Sequence, residues 1–321
     1  MGSSQLSEPF EEQDTVYAVA AAPDDAARGL CFAARTSGLY RSRDGGASWE
    51  PAYATLNPQA ELVTSAVAVS PHFAHDQLVL AGGSGGILRS DDGGASWRAI
   101  LLPTPAPLVT CLVFSPNCAA DHTAFAATMQ DGVYRSVDGG QTWVRWNFGL
   151  FDLRVLALAV AADYVTSETL FAGTETGLYV SRNGGRAWQP AAFGEELAPV
   201  LSLALAPDAG RGGRVWAGTE SAGLWLSADR GRTWARCGAE LFGESVNALL
   251  VGQETPGAPA ILALATEGLF ISRDGGATWH AHPESQATAV ELTAVAAPAG
   301  LGRGAALFAG TDTGAVLRFT I

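Results

Sequence analysis

The sequence has 321 residues, of which 48% are hydrophobic and 16% charged, so it can bury a large core. Its formal net charge is −13 and it contains no lysine, which disfavours nucleic acid and anionic membranes as partners. No apolar run is long enough to insert into a membrane, and the N-terminus lacks the pattern of a signal peptide. We therefore expect a cytoplasmic protein by default, or a periplasmic or extracellular one if a leader has been removed.

An eight-residue motif, Ser-x-Asp-x-Gly-x-Ser/Thr-Trp, recurs six times along the chain, with Asn183 and Ala187 at positions three and seven of the fourth copy. Successive motif tryptophans are 48, 46, 45, 46 and 45 residues apart, and such a period is typical of an array of similar structural units. The motif tryptophans are Trp49, Trp97, Trp143, Trp188, Trp234 and Trp279. The third motif position holds Asp44, Asp92, Asp138, Asn183, Asp229 and Asp274.

Four short strands are predicted around each octet. In the first repeat they cover residues 16–20, 30–34, 39–42 and 49–53, which are apolar runs separated by turn-forming residues. The octet forms the turn between the third strand and the fourth. The same unit recurs over approximately residues 15–54, 60–102, 107–147, 153–192, 198–238, 244–283 and 289–321.

The residue types of the octet indicate a structural turn. Ser at position one and Asp at position three can bond the backbone amides of the turn. Asn183 keeps the acceptor and loses the charge, which favours a structural role over a catalytic one. Gly is present at position five in all six copies, whereas Arg230 replaces Gly at position four, so we expect positive φ at position five. Each tryptophan is expected to pack against the neighbouring repeat.

This octet resembles the Asp-box, or BNR, motif of β-propeller proteins. Proteins with that motif include sialidases, tandem-propeller xyloglucanases, sortilin-type receptors and photosystem II assembly factors. The resemblance covers about the whole chain and implies a propeller whose boxes lie at the periphery, away from the active face. The motif is specific for the fold and says little about activity, because different functions are built on one fold.

The seventh unit ends after its third strand and lacks an octet. We expect the N-terminal segment Leu6–Glu12 to supply the missing outer strand, where Pro9 is tolerated because an outermost strand is an edge. Such closure hides the edges of the terminal repeats. The prediction is one all-β domain, a seven-bladed β-propeller of four-stranded antiparallel blades, closed by the N-terminal strand completing the last blade.

Acidic residues recur on one face of the predicted propeller. We name as the upper face the side that carries the second-to-third-strand loops and the blade-to-blade connections, and as the Asp-box face the opposite side. The upper loops contain Asp131, Glu175, Glu220, Glu267 and Asp312. These acids could form a partial ring that holds a cation or attracts a basic peptide. The alternative is that they cap turns and face water.

Apolar segments recur in three blade-to-blade connections of the upper face. Their candidate partner-binding residues are Phe148, Leu150, Phe151, Phe193 and Phe242. Clustered apolar surface marks protein-binding patches. The alternative is that each Phe fills the gap between its own blade and the next.

No metal or other cofactor is predicted. His72 and His75 lie near Asp76, and His122 follows Asp121 on the equivalent loop, but the ligand spacing is not that of a zinc site. These acids align between repeats and are better explained as loop scaffolding. The four cysteines show no C-x-x-C spacing, so we expect buried thiols, with a disulfide between Cys111 and Cys118 as the alternative.

An enzymatic function is not supported by the residues. The sialidase resemblance implies three converging arginines, and the Arg-Ile-Pro segment of that family is absent. Nothing selects a carboxylate pair for glycoside hydrolysis. We expect a non-catalytic protein-interaction scaffold, similar in mode to the photosystem II assembly factors, although those work through a basic patch and this chain is acidic. The alternative is a glycan-binding or sialidase-like propeller in which Arg154 contacts the sugar.

Overall fold

Antiparallel sheet dominates the structure, a computed structural model that describes residues 13–23, 29–56, 58, 60–103, 105–192, 198–206, 213–255 and 258–321. These residues form seven sheets, and in each sheet the strands pair in chain order. The prediction of a seven-bladed β-propeller is confirmed.

The first four blades are four-stranded and run from the inner strand to the outer strand. Blade 1 contains β1 (Val16–Ala21), β2 (Cys31–Arg35), β3 (Gly38–Ser42) and β4 (Glu50–Pro51). Blade 2 contains β5 (Thr64–Val69), β6 (Val79–Gly83), β7 (Gly86–Ser90) and β8 (Arg98–Leu101). Blade 3 contains β9 (Val109–Phe114), β10 (Ala124–Thr128), β11 (Gly132–Ser136) and β12 (Val144–Arg145). Blade 4 contains β13 (Val155–Val160), β14 (Leu170–Thr174), β15 (Gly177–Ser181) and β16 (Gln189–Pro190).

The last three blades continue the same order. Blade 5 contains β17 (Val200–Leu205), β18 (Val215–Thr219), β19 (Leu224–Ser227) and β20 (Ala235–Cys237). Blade 6 contains β21 (Val246–Thr255), β22 (Ala258–Ala265), β23 (Gly268–Ser272) and β24 (His280–Ala281). Blade 7 contains β25 (Leu292–Ala296), β26 (Ala306–Thr311) and β27 (Val316–Thr320).

Helical structure is confined to single turns in the connections. These are α1 (Phe73–Asp76), α2 (Cys118–Asp121), α3 (Tyr164–Ser167), α4 (Pro283–Gln286) and a 3₁₀ turn (Ala54–Leu56). Among the described residues, no helix has the length and apolar character that crossing a membrane would require.

Glycines in the second strands let neighbouring blades approach closely. A Cβ atom added at Gly218 of β18 would lie 2.5 Å from the Val246 carbonyl oxygen, which belongs to the inner strand of the next blade. A Cβ atom at Gly310 of β26 would lie 2.5 Å from Cγ1 of Val16 in blade 1. The Ala-Gly-Thr pattern of these strands therefore leaves room for the first residue of the neighbouring inner strand.

Hydroxyl side chains also join neighbouring inner strands. Thr110 donates to the carbonyl of Val155 at 2.6 Å, and Thr293 donates to the carbonyl of Val16 at 2.6 Å. Thr293 and Val16 belong to the last and first blades, and β25 packs against β1. The described inner strands therefore close into a ring.

The Asp-boxes are held together by their own hydrogen bonds. In the first box, Ser42 Oγ accepts from the amide of Gly46 at 2.8 Å and donates to Asp44 Oδ1 at 2.8 Å. Asp44 also accepts from the amide and the hydroxyl of Ser48, at 2.9 and 2.5 Å. Asn183 reproduces the acceptor role toward the amide of Ala187 at 2.9 Å, as its substitution for Asp suggested.

Positive φ at position five of the octet is confirmed, with 86° at Gly46, but it is not confined to that position. Position four is also left-handed in every copy: φ is 73° at Gly45 and 63° at Arg230. Arg230 therefore occupies a conformation that favours glycine. Position four was missed because a non-glycine residue there, Arg230, was taken as a sign of negative φ.

Box tryptophans pack against the preceding blade. The ring of Trp97 lies 5.5 Å from that of Tyr53, and its Nε1 donates to the Ala52 carbonyl at 3.1 Å. Trp188 Nε1 likewise donates to the Trp146 carbonyl at 2.7 Å. These contacts join blades 1 and 2 and blades 3 and 4 at the periphery.

Blade 7 has three strands among the described residues, and the predicted closing strand Leu6–Glu12 lies outside them. The first described residues lie against the turn that precedes β27. A Cβ atom added at Gly314 of that turn would be 2.6 Å from the Asp14 carbonyl oxygen.

Replacing Gly310 by Ala is expected to destabilise the protein by about 1–3 kcal/mol, because the added methyl group overpacks the joint against Val16. The free energy of unfolding in urea measures the effect. Gly302→Ala is the matched control, since no heavy atom lies within 4 Å of its added Cβ, and it should change stability by less than about 0.5 kcal/mol. Equal effects of the two changes would contradict the close-packed joint.

The Asp-boxes should make stability fall in acid. Hydrogen bonds from the Ser48 side chain and amide lower the pKa of Asp44 to about 2. At Asp92 and Asp274 partial burial raises the pKa, but hydrogen bonds from Ser96 and Thr278 outweigh it and leave the pKa at about 2. Because each folded pKa lies below the unfolded value of 3.8, this stabilisation is complete above that value and is lost as pH falls toward 2.

The thermal midpoint followed from pH ~5 to ~2 tests this expectation. A triple variant with Asp44→Asn, Asp92→Asn and Asp274→Asn keeps one acceptor oxygen in each box, as Asn183 does, and should show a shallower decline. An unchanged decline would assign the acid sensitivity to other carboxylates.

Candidate functional site on the upper face

Exposed apolar side chains concentrate on the upper face. Among the described residues, ten large apolar side chains are strongly exposed, and seven of them lie on this face. The seven are Tyr17, Leu62, Val63, Leu101, Phe148, Phe151 and Leu241. Phe148 and Phe151 stand out because they are aromatic and 80% and 83% exposed. Exposed aromatic side chains so close in sequence are typical of a binding surface.

Both phenylalanines belong to the connection between blades 3 and 4, residues 146–154, which we name the Phe loop. The loop is fixed on both sides by backbone hydrogen bonds. Its Phe148 carbonyl accepts from the Trp188 amide of blade 4 at 2.8 Å, and its Leu153 carbonyl accepts from the Gly132 amide of blade 3 at 2.9 Å. The two exposed rings are therefore carried by an anchored segment.

Residues between the two phenylalanines explain why both rings point outward. Gly149 has φ 79°, and a Cβ atom there would lie 2.3 Å from the Trp188 carbonyl oxygen, so only glycine fits. Leu150 is 5% exposed and joins the apolar cluster between the blades with Trp188. Because Leu150 fills this joint, Phe148 and Phe151 are left on the surface.

Asp152 fixes the end of the Phe loop. One carboxylate oxygen accepts from the amide of Arg154 at 3.0 Å, and the other accepts from the amide and hydroxyl of Thr176 at 2.9 and 2.8 Å. Partial burial raises the pKa of Asp152, but these hydrogen bonds outweigh it and hold the pKa below its ordinary value. Asp152 was not among the candidate residues, and its neighbours in sequence gave no sign that its partner lies in another loop.

An ion pair joins the end of the Phe loop to Glu175 at the mouth of the channel. Arg154 Nη1 is 2.7 Å from Glu175 Oε2, and the Glu175 amide donates to the Arg154 carbonyl at 3.2 Å. Arg154 directly precedes the inner strand β13, so the pair stands at the channel rim. The sequence analysis identified both residues as candidates but did not predict that they form an ion pair.

The five predicted acids do not occupy equivalent positions. Glu175, Glu220 and Asp312 each donate their amide to the residue that precedes the inner strand of the same blade, which places them innermost. Asp131 turns outward instead, where it pairs with Arg145 at 3.0 Å and accepts from the hydroxyl of Tyr134. Glu267 is exposed and lies one residue further along its loop. Three acids, not five, therefore share the position from which a ring could form.

Two of the candidate apolar anchors are not available to a partner. Phe242 is 1% exposed, with its ring 5.3 Å from Phe270 and 5.0 Å from Trp279, so it fills the joint between blades 5 and 6. The expectation that Phe242 and Leu150 face a partner is corrected by their burial. Phe193 lies outside the described residues.

The weak metal candidates do not form a metal-binding group among the described residues. Asp76 accepts from the Ser70 hydroxyl at 2.6 Å and from the Leu78 amide at 3.0 Å, so it serves its own loop. Asp121 makes the same two bonds in blade 3, next to His122. All four cysteines are free thiols, and burial raises the pKa of Cys31 to about 11.

Comparisons with known proteins agree with this architecture. The family model of the photosynthesis system II assembly factor YCF48 matches residues 5–146, and the BNR/Asp-box repeat model matches residues 270–281. None of the curated proteins matches the chain.

Solved structures of similar shape include YCF48 bound to D1 peptide, with a TM-score of 0.69 and 20% identity over 97% of this chain and 95% of the other. YCF48 from Cyanidioschyzon merolae has a TM-score of 0.66 and 19% identity over 97% of both chains. An ancestral GH74 enzyme has a TM-score of 0.74 and 18% identity over 98% of this chain and 46% of the other. This chain therefore spans about half of the GH74 structure, and at these identities the likeness shows the fold alone.

Asp152→Ala is expected to destabilise the protein by about 1–3 kcal/mol, because the partly buried amides of Arg154 and Thr176 lose their acceptor. Urea unfolding measures the loss. Glu220→Ala, at an exposed acid of the same face, is the control and should stay within about 0.5 kcal/mol of the parent. A neutral Asp152→Ala would show that the Phe loop is held by its backbone contacts alone.

Proposed function

We propose that this chain, which is an Asp-box (BNR-repeat) β-propeller, is a non-catalytic interaction module that binds a protein segment on its upper face. The observation that carries the proposal is the pair of highly exposed phenylalanines on an anchored loop. Phe148 and Phe151 are the apolar anchors, and Glu220 at the channel rim favours basic residues in the partner.

Leaving two aromatic rings in water costs free energy that burial against a partner recovers. Burying a large apolar side chain contributes roughly 1.5–3 kcal/mol, so two rings supply a substantial part of a micromolar affinity. The Phe loop is fixed by contacts to blades 3 and 4, so little conformational entropy is lost when a partner binds. Aromatic anchors on an ordered surface are typical interface hot spots.

Charge narrows the class of partner. The chain carries a net charge of −13, and Glu220 of the upper face has no ionic partner among the described residues. A segment with apolar residues next to lysine or arginine would be attracted to this face, whereas an acidic segment would be repelled.

A relative supports this mode of action. The structure of YCF48 bound to D1 peptide shows that a propeller of this shape can hold a peptide.

The proposal is tested with peptides selected from a random library displayed on phage. We expect selected sequences to combine aromatic or aliphatic residues with basic ones. Binding of the synthetic peptides, followed by fluorescence anisotropy, should weaken at least about tenfold in Phe148→Ala/Phe151→Ala, because hot-spot truncations cost more than 1 kcal/mol each. Val137→Ala/Val165→Ala removes two exposed apolar side chains from the Asp-box face and should leave the affinity unchanged.

Equal affinity of the parent and the Phe148→Ala/Phe151→Ala variant would contradict the proposed anchors. Turnover of aryl-sialoside or aryl-glycoside substrates at enzyme-like rates would contradict the non-catalytic assignment and favour the glycan-processing alternative.

A further inference from the structure

The outer strand of blade 2 is longer than the other described outer strands. This strand, β8, has four residues, Arg98–Leu101, whereas the outer strands of blades 1, 3, 4, 5 and 6 have two or three. Its last residue, Leu101, is 84% exposed, and Ala99 is exposed as well. We name the side of β8 that faces away from β7 the β8 edge.

The register of blade 2 shows which backbone groups lie on the β8 edge. β8 pairs with β7 in an unbroken register, and the Leu102 amide that follows β8 donates to the Gly85 carbonyl at 3.0 Å. Bonded and non-bonded pairs alternate in an antiparallel ladder, so Ile100 bonds to β7, whereas Ala99 and Leu101 point away from it. Among the described residues, the two amides and two carbonyls of Ala99 and Leu101 are therefore unpaired.

Two other blades have proline at the position of Ala99. Pro51 of β4 and Pro190 of β16 pair with the third strand at the same point of the register as Ala99 does in blade 2. A proline there has no amide hydrogen, so the edges of blades 1 and 4 lack the donor that β8 retains. Of the described outer strands, β8 thus offers the most backbone groups to another chain.

The chemistry of the β8 edge selects its occupant. Donors and acceptors spaced along a strand are matched by another extended backbone. A second copy of this chain fits poorly, because two four-residue edges would bury far less than the roughly 1,200 Å² of a stable interface. Two copies would also repel each other, since each has a net charge of −13.

Local charge indicates which segment would fit. Arg98 is exposed at the start of β8, and among the described residues no carboxylate lies within salt-bridge distance of it. An acidic residue opposite Arg98 and an aliphatic residue opposite Leu101 would complement the edge, because side chains directly opposite each other on paired strands interact.

We propose that the β8 edge binds an extended segment of another protein as a fifth, antiparallel strand of blade 2. Backbone hydrogen bonds to Ala99 and Leu101 supply the attraction, and the side chains opposite Leu101 and Arg98 supply the specificity. In an antiparallel pair these two side chains are three positions apart, so the expected sequence is Val/Ile/Leu-x-x-Asp/Glu. The site lies on the circumference of blade 2 and does not depend on the Phe loop.

Amide hydrogen exchange of the full chain, followed by NMR, tests the β8 edge. In the free protein the amides of Ala99 and Leu101 should exchange much faster than the amide of Ile100, which is bonded to β7. The probe is the acetylated peptide Thr-Val-Thr-Val-Glu-Thr. Its addition should slow exchange at Ala99 and Leu101. The same peptide with both valine amides N-methylated keeps its side chains but loses the donors that would face β8, and it should not bind.

Ala99→Pro separates binding from folding. Blades 1 and 4 have proline at this position, so the thermal midpoint should stay close to that of the parent. The Kd for the peptide, measured from the shift of the Leu101 amide signal, should rise about fivefold because one hydrogen bond is lost. Ala281→Pro is the matched control, since Ala281 is exposed at the same position of β24, and it should leave the Kd unchanged.

Arg98→Gln tests the register of the bound segment. It should weaken binding of the probe about twofold, because an exposed ion pair contributes little free energy. It should not affect a peptide that has Gln in place of Glu.

Four results would overturn the proposal. The first three are unchanged amide signals of Ala99 and Leu101 at millimolar peptide, equal binding of the N-methylated peptide, and equal weakening by Ala99→Pro and Ala281→Pro. The fourth is dimerisation of the parent that Ala99→Pro abolishes, because the occupant of the β8 edge would then be a second copy of this chain.

Discussion

Close approach of neighbouring inner strands is the constraint on which this propeller depends. At Gly218 and Gly310 the backbone has no room for a side chain, because the first residue of the next inner strand occupies that space. Hydroxyl groups such as those of Thr110 and Thr293 then join the strands across the joint. In a closed ring these contacts set how closely neighbouring blades approach each other.

The two faces of the ring use their side chains differently. On the Asp-box face, Asp44 and Asp76 accept hydrogen bonds from their own turns and are committed to local structure. On the upper face, Asp152 ties one loop to another, and the apolar rings of Phe148 and Phe151 remain in water. The Asp-box face therefore uses its acids to stabilise its own turns, whereas the upper face leaves most of the exposed large apolar side chains in water.

Much of the fold, and less of the site, could be predicted from the sequence. The six octets predict the repeated turn because turn chemistry is local, and the recurring strand pattern adds the seventh blade, which has no octet. Phe148 and Phe242 stand in similar segments, yet one is exposed and the other buried. The difference depends on which residue fills the joint, Leu150 in one case and Phe242 itself in the other, and that choice depends on the next blade. Likewise, the loop position of Asp131 turns its carboxylate toward Arg145 instead of the channel.

Four of the outer strands, β4, β12, β16 and β24, are only two residues long. Each offers an approaching chain very few free backbone groups, and β4 ends at Pro51 and β16 at Pro190, which lack an amide proton. Edges this short are poor templates for the growth of intermolecular sheet. A chain built from repeated β-units, which is at risk of amyloid-like polymerisation, is thus protected along much of its circumference.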